Sequence, residues 1–203
     1  MTDIVFASSN KGKIKEITEI LMPFRINIIP QSHFNVPDIE ETGLSFVENA
    51  ILKARNCCKH TGLPSLADDS GLCVNVINGA PGIYSARYAG NNSSSKENID
   101  FLLKNISKFK GSQRSAYFKC IMVLLQSELD PTPVITEGSL HGQITESITG
   151  VNGFGYDPIF KPVNHTNTLA EITAEQKNLI SHRFKALSLM KSKLLLIKQQ
   201  QHG

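Results

Sequence analysis

No apolar run in this chain approaches the roughly 18 residues that a membrane-spanning helix needs, and no charged-then-apolar leader opens it. The sequence therefore predicts no membrane partner and a cytoplasmic location. Its four cysteines, Cys57, Cys58, Cys73 and Cys120, form no CxxC pair and no Cys/His cluster. That spacing argues against structural zinc and against a disulfide framework, and for reduced, buried thiols. Neither sign of charge dominates: 21 basic against 18 acidic residues leave a net charge of +3. Nucleic acid is thus not an expected partner, while a small anionic ligand stays open. Repeats and low-complexity segments are missing as well. What is present is 203 residues with 40% apolar content, enough for one domain, or one core with a protruding lobe.

The most informative stretch is Leu66-Ala-Asp-Asp-Ser-Gly-Leu72. An apolar run from Leu63 to Ala67 reads as a buried strand that ends at two adjacent carboxylates, with a second strand from Leu72 to Ile77. Like charges so close raise each other's pKa, and a dry site holds them only with a neutralising cation, often a metal ion. The plainer reading is an Asp-Ser-Gly turn whose carboxylate caps backbone N–H groups.

Before it, Asp3 to Ala7 reads as a strand running into Ser8-Ser-Asn-Lys-Gly-Lys13 and then a helix with Ile14, Ile17, Ile20 and Leu21 on one face. Strand, polar glycine loop and helix N-terminus suit a phosphate, with Lys11 and Lys13 adding full charges. The loop lacks the GxxxxGK[ST] pattern, so solvated surface lysines are the alternative. Arg25 to Ile29 is a further strand, and Pro30 to Asp38 is irregular. Ser45-x-x-Glu48 forms a capping box that starts a helix reaching about His60. Glu48, Asn49, Lys53 and Asn56 share a side of that helix, either as solvated decoration or as a functional wall. Glu40 and Glu41 precede the cap, where they favour the helix dipole or, with Asp68 and Asp69, would complete a magnesium site.

Asn78 to Gly90 reads as an ordered loop, Ser94/Ser95 cap a helix, Arg114 to Gln126 is the longest strand, and Val134 to Ile144 is its hairpin partner. In Gly150 to Phe160, three glycines would let the backbone approach a flat ligand, and Phe154 or Tyr156 could stack on a base. A tight turn with buried aromatics is the alternative. Thr173-x-x-Gln176 caps a short helix carrying Lys177, and Ser181 caps the terminal one. His182 and Arg183 then stand in a first turn where cations oppose the dipole, which points either to an anionic or carbonyl-rich ligand or to a harmless solvated pair. Lys198 to Gly203 reads as a frayed polar tail.

Six segments in this order resemble the inosine triphosphate pyrophosphatase family, the Ham1-like nucleotide hydrolases. They are Ser8 to Lys13, Glu40-Glu-Thr-Gly-x-Ser-Phe-x-Glu-Asn-Ala50, Ala67 to Leu72, Gly79-Ala-Pro-Gly-Ile-Tyr-Ser-Ala-Arg-Tyr88, Gly153 to Phe160 and Ser181-His-Arg183. The resemblance spans Ile4 to about Leu187. It implies an α/β fold, a long bent mixed β-sheet with helices forming two lobes around a central substrate cleft, in one domain over residues 1–203 that forms a homodimer. It also implies Mg²⁺-dependent conversion of ITP, dITP or XTP to the monophosphate and pyrophosphate. A Maf-like pyrophosphatase for pyrimidine or methylated nucleotides, a nucleotide-binding module without turnover and a plain α/β scaffold are the rivals.

By resemblance, Asp69 is the general base and a metal ligand, Glu40 rather than Glu41 completes the metal site, and Asp68 assists through the ion's hydration shell. Ser8, Ser9, Asn10, Lys11, Gly12, Lys13, Lys53 and Ser70 would hold the triphosphate. Phe154, Gly155, Tyr156, Asp157, Lys177, His182 and Arg183 would hold the base. One departure is Ser9, which would be strained if the loop required a positive φ there.

Overall fold

The computed structural model describes residues 2–200. Six strands, β1 (Thr2–Phe6), β2 (Ile26–Pro30), β3 (Ser65–Val74), β4 (Ser115–Leu125), β5 (Val134–Ile144) and β6 (Phe160–Pro162), form one mixed sheet in the order β2-β1-β3-β4-β5-β6. β1 pairs in parallel with β2, from Thr2↔Ile26 to Phe6↔Pro30, and with β3 at Val5↔Ser65 and Phe6↔Leu66. β5 and β6 are antiparallel, Gly142 facing Pro162 and Ile144 facing Phe160. Five helices complete the fold: α1 (Lys11–Leu21), α2 (Phe46–Thr61), α3 (Ser95–Asn105), α4 (Ala174–Ile180) and α5 (His182–Gln200). Among the described residues, no helix is long and apolar enough to cross a membrane.

Helix starts follow their capping residues. Asn10, Ser45, Ser94 and Thr173 each accept a hydrogen bond from the backbone N–H three residues on, at the head of α1, α2, α3 and α4. Ser94 and Thr173 sit in complete capping boxes. Glu48 instead turns its carboxylate to the Leu44 N–H (2.9 Å) and the Ser45 hydroxyl (2.7 Å).

The sequence reading needs correction at four places. Asp68 and Asp69 lie in the middle of one ten-residue strand, β3, not between two strands. A charge normally stops a buried strand, but here each carboxylate meets an ammonium, so the ladder continues through them. Residues 75–77 form a 3₁₀ turn closed by Asn78 at φ 55°, and Gln31–Phe34 is a 3₁₀ turn within the stretch read as irregular. α5 extends to Gln200, through the first part of the supposed tail, while residues 201–203 lie outside the described residues.

The chain divides into two compact units: Met1–Asp69, Ile121–Glu137 and Ala186–Gly203 make the first, Ser70–Cys120 and Gly138–Lys185 the second. The first packs Val5, Ala7, Ala50, Ala54, Ala67, Ile121, Val123 and Leu125 with the free thiols of Cys57 and Cys58. The second packs Leu72, Val74, Ile99, Leu102, Ile106, Phe118, Ile144, Tyr156 and Phe160. Each core buries side chains that are fully or almost fully inaccessible, which supplies the apolar burial that holds such a unit together.

Candidate active site

Two polar clusters stand out, one in each unit. The first is built on β3 and the N-terminal ends of α1 and α2. Successive side chains of a strand point to opposite faces, and the two carboxylates have separate principal partners. Asp68, 1% exposed, takes the Lys13 ammonium on both oxygens, at 2.9 and 2.8 Å. Asp69 takes Lys53 at 3.3 Å, and Lys53 also contacts Glu41 at 2.8 Å.

Burial is the largest influence on Asp69 and pushes its carboxyl above the ordinary aspartate value; Lys53 opposes that shift, and Glu41 adds to it. Asp68 ranks last among the influences, so mutual repulsion within the pair matters less than dehydration. Burial also works against the Lys53 charge, but Asp69, Asp68 and Glu41 together outweigh it and raise its pKa. Lys53 is thus a cation held between two carboxylates. Glu41 and Asp69 are hard oxygen donors gathered about one positive charge, which suits a magnesium ion that takes one or two carboxylates plus water and phosphate oxygens. Among the described residues no group of three or more His, Cys, Asp or Glu side chains gathers as a closed metal cage.

Of the residues expected to hold phosphates, Ser9, Asn10, Lys11 and Gly12 are exposed and Ser8 and Lys13 half-buried. Asn10 accepts the Lys13 N–H at 3.1 Å and donates its own N–H to the Ser8 hydroxyl at 3.2 Å, so the loop leads directly into the helix N-terminus. Ser9 is not among the residues with positive φ, and the strain foreseen there does not arise. Its hydroxyl accepts from Gln31, which also donates to Asp38. Glu40 is exposed, whereas Glu41 is half-buried against Lys53, so the geometry favours Glu41 where the sequence reading chose Glu40.

The second cluster lies around residues 150–183. Asp157, buried, accepts the Phe154 N–H at 2.8 Å and pairs with Lys177, whose ammonium sits 4.1 Å from the centre of the Phe154 ring. Gly153 has φ 76°, and a Cβ there would run into the Asp157 carboxylate, so this glycine lets the loop fold onto its own anchor. Phe154 is 61% exposed, while Tyr156 is buried in the core with its hydroxyl donating to the Ser85 carbonyl at 2.9 Å. Of the two aromatics, only Phe154 offers a ring face to a ligand. Gly155 has φ 58° and open space beside it.

At the head of α5, Ser181 accepts the Phe184 N–H at 3.0 Å, as its reading as a cap requires. His182 and Arg183 are buried, not solvated: His182 stacks on Phe118 with ring centres 4.9 Å apart, and Arg183 donates to the Ser70 hydroxyl at 3.4 Å. Two further residues, Asn49 and Gln31, are buried among the first cluster and were not singled out from the sequence as site residues. The spacing of Asn49 with Lys53 on α2 was their only sequence signal.

Comparison with known proteins identifies the family. Residues 4–193 match the Ham1 family, and the chain belongs to it. Its relatives include the dITP/XTP pyrophosphatases of Coxiella burnetii, 49% identical over 96% of this chain and 97% of that one, and of Thioalkalivibrio sulfidiphilus, 52% identical over 94% and 97%. Among solved structures, a HAM1 protein from Coxiella burnetii superposes with a TM-score of 0.93 at 49% identity, covering 96% of this chain and 99% of that one. The Staphylococcus aureus Ham1 protein gives 0.87 at 40% identity, covering 95% and 98%.

Proposed function

We propose that this protein is a nucleoside triphosphate pyrophosphatase that hydrolyses non-standard purine nucleotides, dITP, ITP and XTP, to the monophosphate and pyrophosphate. Relatives at about half identity over nearly the whole chain, named dITP/XTP pyrophosphatases, support the activity. The observation that carries the chemistry is Asp69, a buried carboxylate of raised pKa held beside Lys53 and Glu41. A carboxylate of raised pKa is a better proton acceptor at working pH than an ordinary one.

Water attacks the α-phosphorus while Asp69 takes its proton. A new P–O bond to the water oxygen forms as the bond to the β-phosphate oxygen breaks, and pyrophosphate leaves. Phosphoryl transfer asks the protein chiefly for alignment and charge neutralisation. Lys13, fixed by Asp68, and Lys53 neutralise charge that builds on the leaving group, and the Ser8–Lys13 loop with the N–H groups of α1 holds the phosphates. Glu41 and Asp69 would hold Mg²⁺, which when bound draws electron density from phosphate oxygens and makes the departing pyrophosphate a better leaving group. Phe154 would stack on the base. Lys177 and Arg183 are donors that suit a 6-oxo purine and oppose the 6-amino group of adenine, a polar mismatch that can discriminate by about 10⁴-fold. The reading also takes the protein as a cytoplasmic homodimer. Four free, buried thiols fit a reducing compartment, and light scattering would read the assembly state.

The test is steady-state hydrolysis of ITP, dITP and XTP against ATP, GTP, dUTP and methylated pyrimidine nucleotides, with and without Mg²⁺. A preference for the first three, with monophosphate and pyrophosphate as products, is expected. Orthophosphate as the sole phosphate product would overturn the mechanism, and a preference for pyrimidines would make the chain Maf-like in specificity.

A further inference from the structure

The face of α2 that carries Lys53 does more than supply a charge. Three side chains about one turn apart grip successive points of the loop leading into the helix. Asn56 donates to the Pro37 carbonyl at 2.8 Å, Lys53 contacts the Glu41 carboxylate at 2.8 Å, and Asn49 accepts the Gly43 N–H at 2.8 Å. Asn49, like Lys53, reaches both the loop and the strand, but through an uncharged group: while its Oδ1 takes Gly43, its Nδ2 donates to Asp69 Oδ2 at 3.4 Å. It is 0% exposed, so neither bond has water as a ready substitute. The loop is also pressed close: a Cβ at Gly43 would stand 2.6 Å from Glu48 Cβ and 2.7 Å from Asn49 Oδ1.

We propose that Asn49 is a positioning residue that sets the separation between Glu41 and Asp69, and through it the site's affinity for a divalent cation. A side-chain amide is suited to this, because it offers an acceptor oxygen to one partner and a separate donor nitrogen to the other without carrying charge. Carboxylic acid in its place would set a second negative charge against Asp69, and alanine would leave the Gly43 N–H and one Asp69 oxygen without this partner. The inference rests on the proposed pyrophosphatase reading for its kinetics, but not for its binding readout.

The test compares the wild type with Asn49→Ala and Asn49→Ser in three measurements: Mn²⁺ titration followed by electron paramagnetic resonance, Mg²⁺ dependence of ITP hydrolysis, and thermal unfolding without metal. Loss of a residue that orients a metal ligand weakens metal affinity or activity by about 10- to 100-fold. The expected result is weaker Mn²⁺ binding and a higher Mg²⁺ requirement in that range, with KM for ITP at saturating Mg²⁺ changed less than about threefold. A lower unfolding temperature with wild-type metal binding would overturn the proposal, since it would show a purely structural role. So would a raised KM for ITP at unchanged metal affinity. If Asn49→Ala does not fold, Asn49→Ser, which keeps a polar atom, is read by the same criteria. Should the wild type fail to hydrolyse ITP, the functional reading falls, and the Mn²⁺ titration still decides the role of Asn49.

Discussion

In the first unit, Asp68 and Asp69 stand in a strand buried almost throughout, and each meets a different ammonium; in the second, Asp157 and Lys177 pair with each other and hold a glycine loop. The difference follows from what surrounds them. β1 and β3 pair in parallel, and residues 4–6 of β1 and nearly all of β3 are buried, as in parallel strands covered on both faces. A carboxylate there needs a cation beside it or loses its charge. In the second unit, residues 138–144 of β5 run antiparallel to β6 and alternate between buried and more accessible positions. That unit's pair, Asp157 at the end of the glycine loop and Lys177 on α4, decides which ring is presented instead of where a proton goes. Carboxylates are buried in both units, but the charges on the strand bear on reactivity and those beside the glycine loop on its shape.

The comparison breaks most sharply at Asp69. Asp69→Asn should lower kcat for ITP by about 10²- to 10⁴-fold, the usual worth of a positioned general base, with KM much less affected. Next comes Lys53→Met, which removes the group that holds Asp69 down. Burial and Glu41 then act unopposed, so the Asp69 carboxyl rises further. A base works only when deprotonated, so activity is lost as pH falls through the Asp69 pKa, and a higher pKa moves that loss to higher pH. A pH profile of kcat should therefore show its acid limb displaced upward in Lys53→Met. In the second unit, Phe154→Ala should raise KM by about 5- to 150-fold, the equivalent of roughly 1–3 kcal/mol of base stacking, and leave the acid limb in place. The smallest effects test whether helix α2 matters beyond its stability. Ser45→Ala and Ser94→Ala should each cost about 1 kcal/mol in unfolding free energy, but only Ser45→Ala, at the head of the helix bearing Asn49 and Lys53, should also reduce kcat.

Much of this was legible in the residues. Val134 to Ile144 is the strand foreseen, and Ser45, Thr173 and Ser181 cap the helices they announced. Local signals of this kind, periodicity and capping, need no partner from elsewhere in the chain. What could not be read there has the opposite character. Two adjacent aspartates looked like a strand end because nothing nearby in sequence shows that Lys13 and Lys53, 55 and 16 residues away, will meet them. Glu40 and Glu41 are chemically identical, and only the packed loop turns one toward Lys53. Tyr156 and Phe154 are equally able to stack on a base until Ser85 claims the tyrosine hydroxyl. His182 and Arg183 looked misplaced in a helix's first turn because burial against Phe118 and Ser70 cannot be read from spacing.

Lys53 has a consequence for how the protein lives between turnovers. Because the Lys53 ammonium already lies against both Glu41 and Asp69, the chain has a counter-charge of its own there, unlike small metalloproteins whose ion is part of their folding energy. Treatment with a chelator should therefore stop turnover yet leave the melting temperature almost where it was, and returning the ion should restore the rate without any refolding delay.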